Sequence, residues 1–387
     1  MINRLQDHGG AEVSTLAILE GLQGQEFQFR AVTLFGEADF AGKDRLVERG
    51  VEFAAAPVGF WRRLRFLDRQ VVSWRPDVLH SALFEADLVT RIVGPLRRVP
   101  VLSSLVNTEF SREAQRSARS PWRLRAVRLL NIVTGRLGVS HFHAISQTTA
   151  DHGRLRLRIP SARIAIVSRG RDATRLGRRS EERRQFVRAS LDMAESTFVI
   201  LNVARREPQK GQLYLIDAFR LVKVEQPDSQ LLIAGREGTV SEALRNRVSE
   251  FGLDDSVHFL GMRRDVADLL CACDVFVLSS LWEGLGGVLI EALALEAPIV
   301  AFKIDAATEV VGPCGTFVGV GDVPALAAEM LNVQRSPILA RQQASTGRDR
   351  FESRYSFESM KLGMAQLYVK VADLPAPPCG LRRSPRQ

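Results

Sequence analysis

Glu283 and Glu291 stand eight positions apart and bracket the glycine-rich turn Gly284-Leu285-Gly286-Gly287. Before the turn, Asp274-Val275-Phe276-Val277-Leu278 reads as a short apolar strand pattern. After it, Val288, Leu289, Ala292, Leu293 and Leu295 repeat at helical spacing. The unit is strand, loop, helix, with Glu283 in the loop at the strand's carboxyl edge and Glu291 near the helix start. The glycines let backbone N–H groups approach a ligand closely, and a helix N-terminus favours an anion. A phosphate at the turn, with polyol hydroxyls on the two carboxylates, fits these groups. Taken alone, the pattern fits equally well a buried capping glutamate beside a solvated one.

A second constellation lies upstream. Thr197 to Val203 reads as a buried strand, Ala204-Arg205-Arg206-Glu207-Pro208-Gln209-Lys210-Gly211 follows, and a helical pattern begins at Leu213. Arg205 and Lys210 on one loop suit a diphosphate, Arg as a planar fork and Lys as a mobile point charge. A solvated basic loop is the plain alternative. It loses weight where the loop follows a buried strand, because ligands of open α/β sheets bind outside the carboxyl ends of the strands.

In order and spacing, Val203-Ala204-Arg205, Lys210-Gly211, Leu232 to Gly235, Val257 to Gly261, Glu283 to Ala292 and Pro298-Ile299-Val300 resemble the C-terminal half of glycosyltransferase family four. Members are retaining enzymes of the GT-B fold, an α/β architecture of two Rossmann-like, doubly wound parallel-sheet domains facing across a cleft. Weaker matches (Gly9-Gly10-Ala11-Glu12, Arg75 to His80, Ala144-Ile145-Ser146, Ile164 to Asp172) extend the resemblance over nearly the whole chain.

The resemblance implies a nucleoside-diphosphate sugar as donor and a glycan or lipid-linked acceptor. Arg205 and Lys210 would stabilise the departing diphosphate, Glu283 would touch the sugar hydroxyls and Glu291 the ribose. The backbone around Gly261 would frame the base, and Gly284, Leu285, Gly286 and Gly287 would line the donor. Gly9 and Gly10 would meet the phosphate from the first domain. Family members often carry a His in the loop after the strand at 101–105. Here that loop reads Val106-Asn107-Thr108, so Asn107 and His80 remain as candidate sugar or acceptor contacts, with a satisfied buried histidine the equal alternative for His80. No Asp-x-Asp pair occurs in the 387 residues, so no metal or other cofactor is expected, and fixed cations take the metal's role. Front-face attack by the acceptor hydroxyl is the expected route.

Composition agrees. A chain of 387 residues with 45% hydrophobic content builds two domains. Four cysteines make no disulfide framework, and no apolar run reaches membrane-span length, so the cytoplasm is the expected compartment. Strand candidates alternate with helix patterns near 30–35, 77–81, 100–105, 141–145 and 164–168, then near 197–203, 230–234, 257–260, 275–279 and 298–302. This gives an acceptor-binding domain over 1–180, a donor-binding domain over 190–355 and a helix over 356–372 that, by resemblance, crosses back to the first domain. A disordered tail at 375–387 follows, and the Arg-rich stretch 175–188 reads as the connection.

Two features stand apart. Only Met1 to Leu5 precedes the Gly9-Gly10 loop, too short and polar for a whole buried strand, so the first strand reads as truncated or the true start as upstream. The formal charge is +9, and from Ser111 to Leu137 seven Arg face one Glu, interleaved with Trp122, Leu124, Leu129, Leu130 and Val133. Such a segment suits an anionic membrane surface, hence a peripheral position on the inner face of the cell membrane. A solvated helix packed on the sheet is the alternative. No nucleic-acid-binding signature accompanies the charge. A catalytically weak nucleotide-sugar-binding partner subunit is the second functional expectation.

Overall fold

The computed structural model describes residues 1–5, 10–24, 26–40, 42–116 and 120–377. The chain forms two compact units, Met1–Gly170 with the segment from Phe357 onward, and Arg171–Ser356.

In the first unit β1 (Arg30–Thr33) pairs with β2 (Glu52–Ala55), and β3 (Leu79–Ala82), β4 (Val101–Leu105), β5 (His141–Ala144) and β6 (Ile164–Ile166) form a second parallel set in that order. β4 and β5 are buried along their whole length, as expected for parallel strands covered on both faces. The helices Phe60–Trp74, Phe84–Arg97 and Pro121–Gly138 lie along the crossovers. The two sets are bridged through Ile2, which pairs in parallel with Thr33 and with Ala82. Beside it a cavity of about 640 Å³ is lined by residues of both β1 and β3 together with Phe29, Trp74 and Tyr368. The segment expected to be a short first strand therefore contributes a single bridging residue. The helix Phe357–Ala372 packs Met360, Met364, Leu367 and Tyr368 against Ile18, Leu22 and Leu102 of this unit.

The second unit holds β7 (Val199–Val203), β8 (Gln230–Ala234), β9 (Val257–Gly261), β10 (Val275–Leu278), β11 (Ile299–Phe302) and β12 (Thr316–Val318). They form one parallel sheet in the order β12-β11-β10-β7-β8-β9. Its core packs Ile200, Ile233, Val275, Val277 and Val300 against Leu215, Phe219 and Met330 of the covering helices. From β7 the chain builds outward through β8 and β9, then returns to β7's other side with β10. The β7/β10 boundary is thus the point where strand order reverses, the place where doubly wound sheets bind ligands.

The Arg-rich stretch 175–188 is not a free connection. Its helix Glu181–Ser190 packs into the second unit, and Arg188, with a side chain 1% exposed, pairs with Asp274 at 2.7 Å. Arg188 also donates to the carbonyls of Ala272, Ala194, Glu195 and Thr197, while Arg184 takes the other Asp274 oxygen at 2.7 Å. Arginine spacing reads as polar whether the side chains meet water or a buried carboxylate, which is why the pattern misleads here. Of the expected tail, Pro375 to Pro377 have no regular structure, and 378–387 lie outside the described residues.

Candidate active site

The loops after β7 and β10 are tied together. Ser279 Oγ donates to the Lys210 carbonyl at 2.8 Å, the Leu281 N–H donates to the Gln209 carbonyl at 2.8 Å, and Gln209 Nε2 donates to the Trp282 carbonyl at 2.6 Å. Gly211 sits at φ 61° between these loops, and a Cβ there would lie 2.1 Å from the Ser279 carbonyl oxygen, so only glycine permits the approach. Lys210 Nζ donates to Glu283 Oε1, which also accepts from Ser280 Oγ at 2.8 Å. Arg205 is exposed, and its guanidinium makes no hydrogen bond or ion pair among the described residues. Its neighbour Arg206 is buried over the Phe259 ring, 4.7 Å from the centroid, and pairs with Glu237 at 3.1 Å. One arginine of the pair is structural and the other faces solvent.

The turn after β10 ends at Gly286, with φ 76° and ψ 66°, which starts the helix Gly287–Ala294. Gly284 and Leu285 are buried, Leu285 to 1% exposure, so that leucine side chain belongs to the core and only its backbone can meet a ligand. Glu291, on this helix, accepts from Arg171 Nε at 2.7 Å. The same guanidinium lies over Gly287, where a Cβ would be 2.6 Å from its Nη2. Sequence reasoning missed Arg171, since it lies 120 positions from its partner and no spacing links them. Gly261 closes β9 at φ 66°, at the same carboxyl edge of the sheet, and its carbonyl accepts the Gly235 N–H at 2.7 Å.

In the first unit Gly9 lies outside the described residues, while Gly10 opens the helix Gly10–Leu22. A Cβ on Gly10 would meet the Arg169 guanidinium at 2.6 Å. His80 does not offer a ring nitrogen to a ligand: one meets the Tyr368 hydroxyl at 2.7 Å and the other Ser104 Oγ at 2.7 Å. Ser104 continues to His143 Nδ1 at 2.9 Å, and His143 Nε2 reaches the Val167 carbonyl at 2.9 Å. Burial first, then His143 and the chain's N-terminal ammonium, hold the His80 pKa well below the usual histidine range. His80 is a neutral link in a hydrogen-bonded chain, the arrangement of a satisfied buried histidine. Asn107 is exposed and donates to Glu109 Oε1 at 2.6 Å. Among the described residues no group of three or more His, Cys, Asp or Glu is placed to hold a metal ion, and no helix is long and apolar enough to cross a membrane.

Two parallel α/β units, the second with its charged loops at a strand-order reversal, define the GT-B class of fold. Solved structures share it. Anabaena Alr3699/HepE in complex with UDP-glucose superposes with a TM-score of 0.81 at 21% identity, covering 95% of this chain and 98% of that one. WaaG, a glycosyltransferase involved in lipopolysaccharide biosynthesis, gives 0.73 at 14% identity, covering 96% and 98%. Residues 8–175 match the Glycosyltransferase Family 4 model and residues 197–336 the Glycosyl transferases group 1 model, and the chain belongs to this glycosyltransferase family. The GDP-mannose-dependent monoacylated alpha-(1-6)-phosphatidylinositol monomannoside mannosyltransferase of Corynebacterium glutamicum is 32% identical over 201 residues, 49% of this chain and 52% of that protein. The chain spans about half the length, or less, of several curated relatives that it matches.

Proposed function

We propose that the chain transfers a sugar, with retention of configuration, from a nucleoside-diphosphate sugar to a glycan or lipid-linked acceptor. The observation that carries this reading is the Lys210–Glu283 pair at the β7/β10 boundary, with solvent-facing Arg205 on the same loop as Lys210. The acceptor hydroxyl oxygen attacks the anomeric carbon from the face of the leaving group. The bond from that carbon to the diphosphate oxygen breaks, and the hydroxyl proton passes to the departing phosphate. Arg205, Lys210 and the N-terminus of the helix Gly287–Ala294 offset the developing negative charge without a metal, as preorganised groups do best in a partly dry site. Glu283 accepts sugar hydroxyls, Glu291 accepts the ribose diol, and the backbone at Gly261 borders the base.

A membrane-bound acceptor is supported by the helix Pro121–Gly138. Trp122, Leu129, Val133 and Leu137 are exposed along one stripe of it, at 68%, 62%, 46% and 52%. Helical spacing sets Arg125 and Arg136 on one side of the stripe and Arg123 on the other. An apolar stripe flanked by arginines fits an anionic lipid surface. Arg128 does not join it, because its Nε donates to the Arg156 carbonyl at 2.9 Å.

Asn107 stands where family members often carry histidine, which favours a second reading of weak catalysis in a partner subunit. Incubation with UDP-, GDP- and ADP-sugars, scored for donor-dependent release of the nucleoside diphosphate, separates the two. Turnover supports the transferase. Binding without release, with or without added acceptor glycans, supports the partner role.

A further inference from the structure

Glu291 sits on the first turns of the helix Gly287–Ala294 with its side chain only 20% exposed. A carboxylate so placed needs a compensating cation and a fixed orientation before it can accept two hydroxyls from a ribose. Arg171 supplies both. Its Nε donates to Oε1 at 2.7 Å, and its side chain is 13% exposed. A carboxylate offers about four lone-pair sites, so this bond leaves most of its acceptor capacity unused. The arginine is itself held at both ends. Its backbone N–H donates to the Tyr355 carbonyl at 2.9 Å, the residue forms a parallel bridge with Ser356, and its guanidinium rests on Gly287, where any side chain would displace it. All of these contacts lie within the second unit.

We infer that Arg171 is a positioning residue for the nucleotide ribose: it fixes the rotamer of Glu291, so that the carboxylate discriminates ribose from deoxyribose. The inference rests on the donor-site reading above and adds a residue to it. It also predicts a particular signature. Loss of Arg171 should weaken nucleotide binding chiefly by erasing the contribution of the sugar hydroxyls. A general loss of charge at the diphosphate would instead weaken ribose and deoxyribose ligands alike.

The test titrates UDP, GDP and ADP, each beside its 2′-deoxy analogue, into the full chain by calorimetry. Wild type, Arg171→Ala and Arg171→Lys are compared, with circular dichroism as the check on folding. Wild type should bind one of the three, with its deoxy analogue weaker by about tenfold, the size of one good hydrogen bond to a charged group. In Arg171→Ala the parent nucleotide should weaken by about tenfold while the deoxy penalty falls to within about twofold. Arg171→Lys, which keeps a cation near Glu291, should recover part of that penalty. An Arg171→Ala variant with wild-type affinity, with tighter binding, or with weaker binding and an intact deoxy penalty overturns the assignment alone. Wild type that binds none of the three nucleotides overturns the donor-site reading and this assignment with it.

Discussion

Lys210 and Glu283, 73 positions apart in the chain, form an ion pair between the loops that follow β7 and β10. Their side chains are 16% and 11% exposed. The pair brings together the cation that the proposed reaction directs at the diphosphate and the carboxylate that it directs at the sugar.

That arrangement separates the two cations experimentally. Arg205→Ala and Lys210→Ala should each lower turnover by on the order of 10²-fold, the usual effect of removing a preorganised charge from a leaving group. Only Lys210→Ala should also destabilise the fold, by about 1–3 kcal/mol, because it removes the cation paired with the largely buried Glu283 carboxylate. Initial rates and urea midpoints check both statements. Equal stability loss in the two variants would contradict the exposed placement of Arg205.

The Arg188–Asp274 pair should matter for stability alone. Arg188 is almost wholly buried and donates to one carboxylate and four carbonyls. Asp274→Ala leaves the buried Arg188 charge without its carboxylate, and Arg188→Ala leaves four buried carbonyls without their donor, so each should cost about 3–5 kcal/mol of unfolding free energy. Nucleotide affinity of the folded fraction should be unchanged. Denaturant unfolding followed by fluorescence measures the first, and calorimetry the second.

Stability of the first unit should fall as the solution is acidified. His143, 5% exposed, has its pKa lowered to about 4, by burial first and by the Arg169 charge, against the opposing hydrogen bond to the Val167 carbonyl. His141, 3% exposed, is lowered to about 4 by burial, then by Lys370 and Arg163. An unfolded histidine titrates near ~6.5. Between those values the unfolded chain binds more protons, so the stabilising contribution is complete above pH ~6.5 and is lost as pH falls toward the folded value. The thermal midpoint should therefore drop across that window, with a shallower slope in His143→Gln. A wild-type midpoint independent of pH there would show that these histidines are not held neutral.

Membrane attachment and metal independence make a further pair of expectations. Full-length protein should bind vesicles containing anionic lipid, with affinity falling as salt rises. Arg123, Arg125 and Arg136 changed together to Glu should abolish binding while nucleotide affinity persists. Chelator should leave turnover unchanged. Wild type that ignores anionic vesicles at low salt, or turnover lost to EDTA and restored by magnesium, would remove the corresponding claim.

The parallel architecture was legible because its central strands are short, mostly apolar and largely buried, as in β4, β7 and β10. β2 and β12 escaped notice. Both are edge strands of three or four residues with mixed exposure, so neither alternation nor an apolar run marks them. In the site, Arg205, Lys210 and Glu283 could be read because each lies at the end of a recognisable strand. Arg171 could not, since a contact 120 positions away leaves no periodic trace. For His80 the sequence leaves a ligand contact and a satisfied buried histidine open, because its partners Tyr368 and Ser104 lie 288 and 24 positions away.

Occupation of the loops after β7 and β10 by a nucleoside diphosphate is checked by titrating UDP, GDP and ADP into wild type, Lys210→Ala and Glu291→Gln. Wild type should bind one of them, and each substitution should weaken that binding by roughly 1–3 kcal/mol, the range for charge-assisted hydrogen bonds. Glu283→Gln, which keeps an oxygen for Lys210 and alters the group proposed to meet the sugar, should leave it nearly intact. Full-strength binding of the nucleotide to both Lys210→Ala and Glu291→Gln would contradict the account.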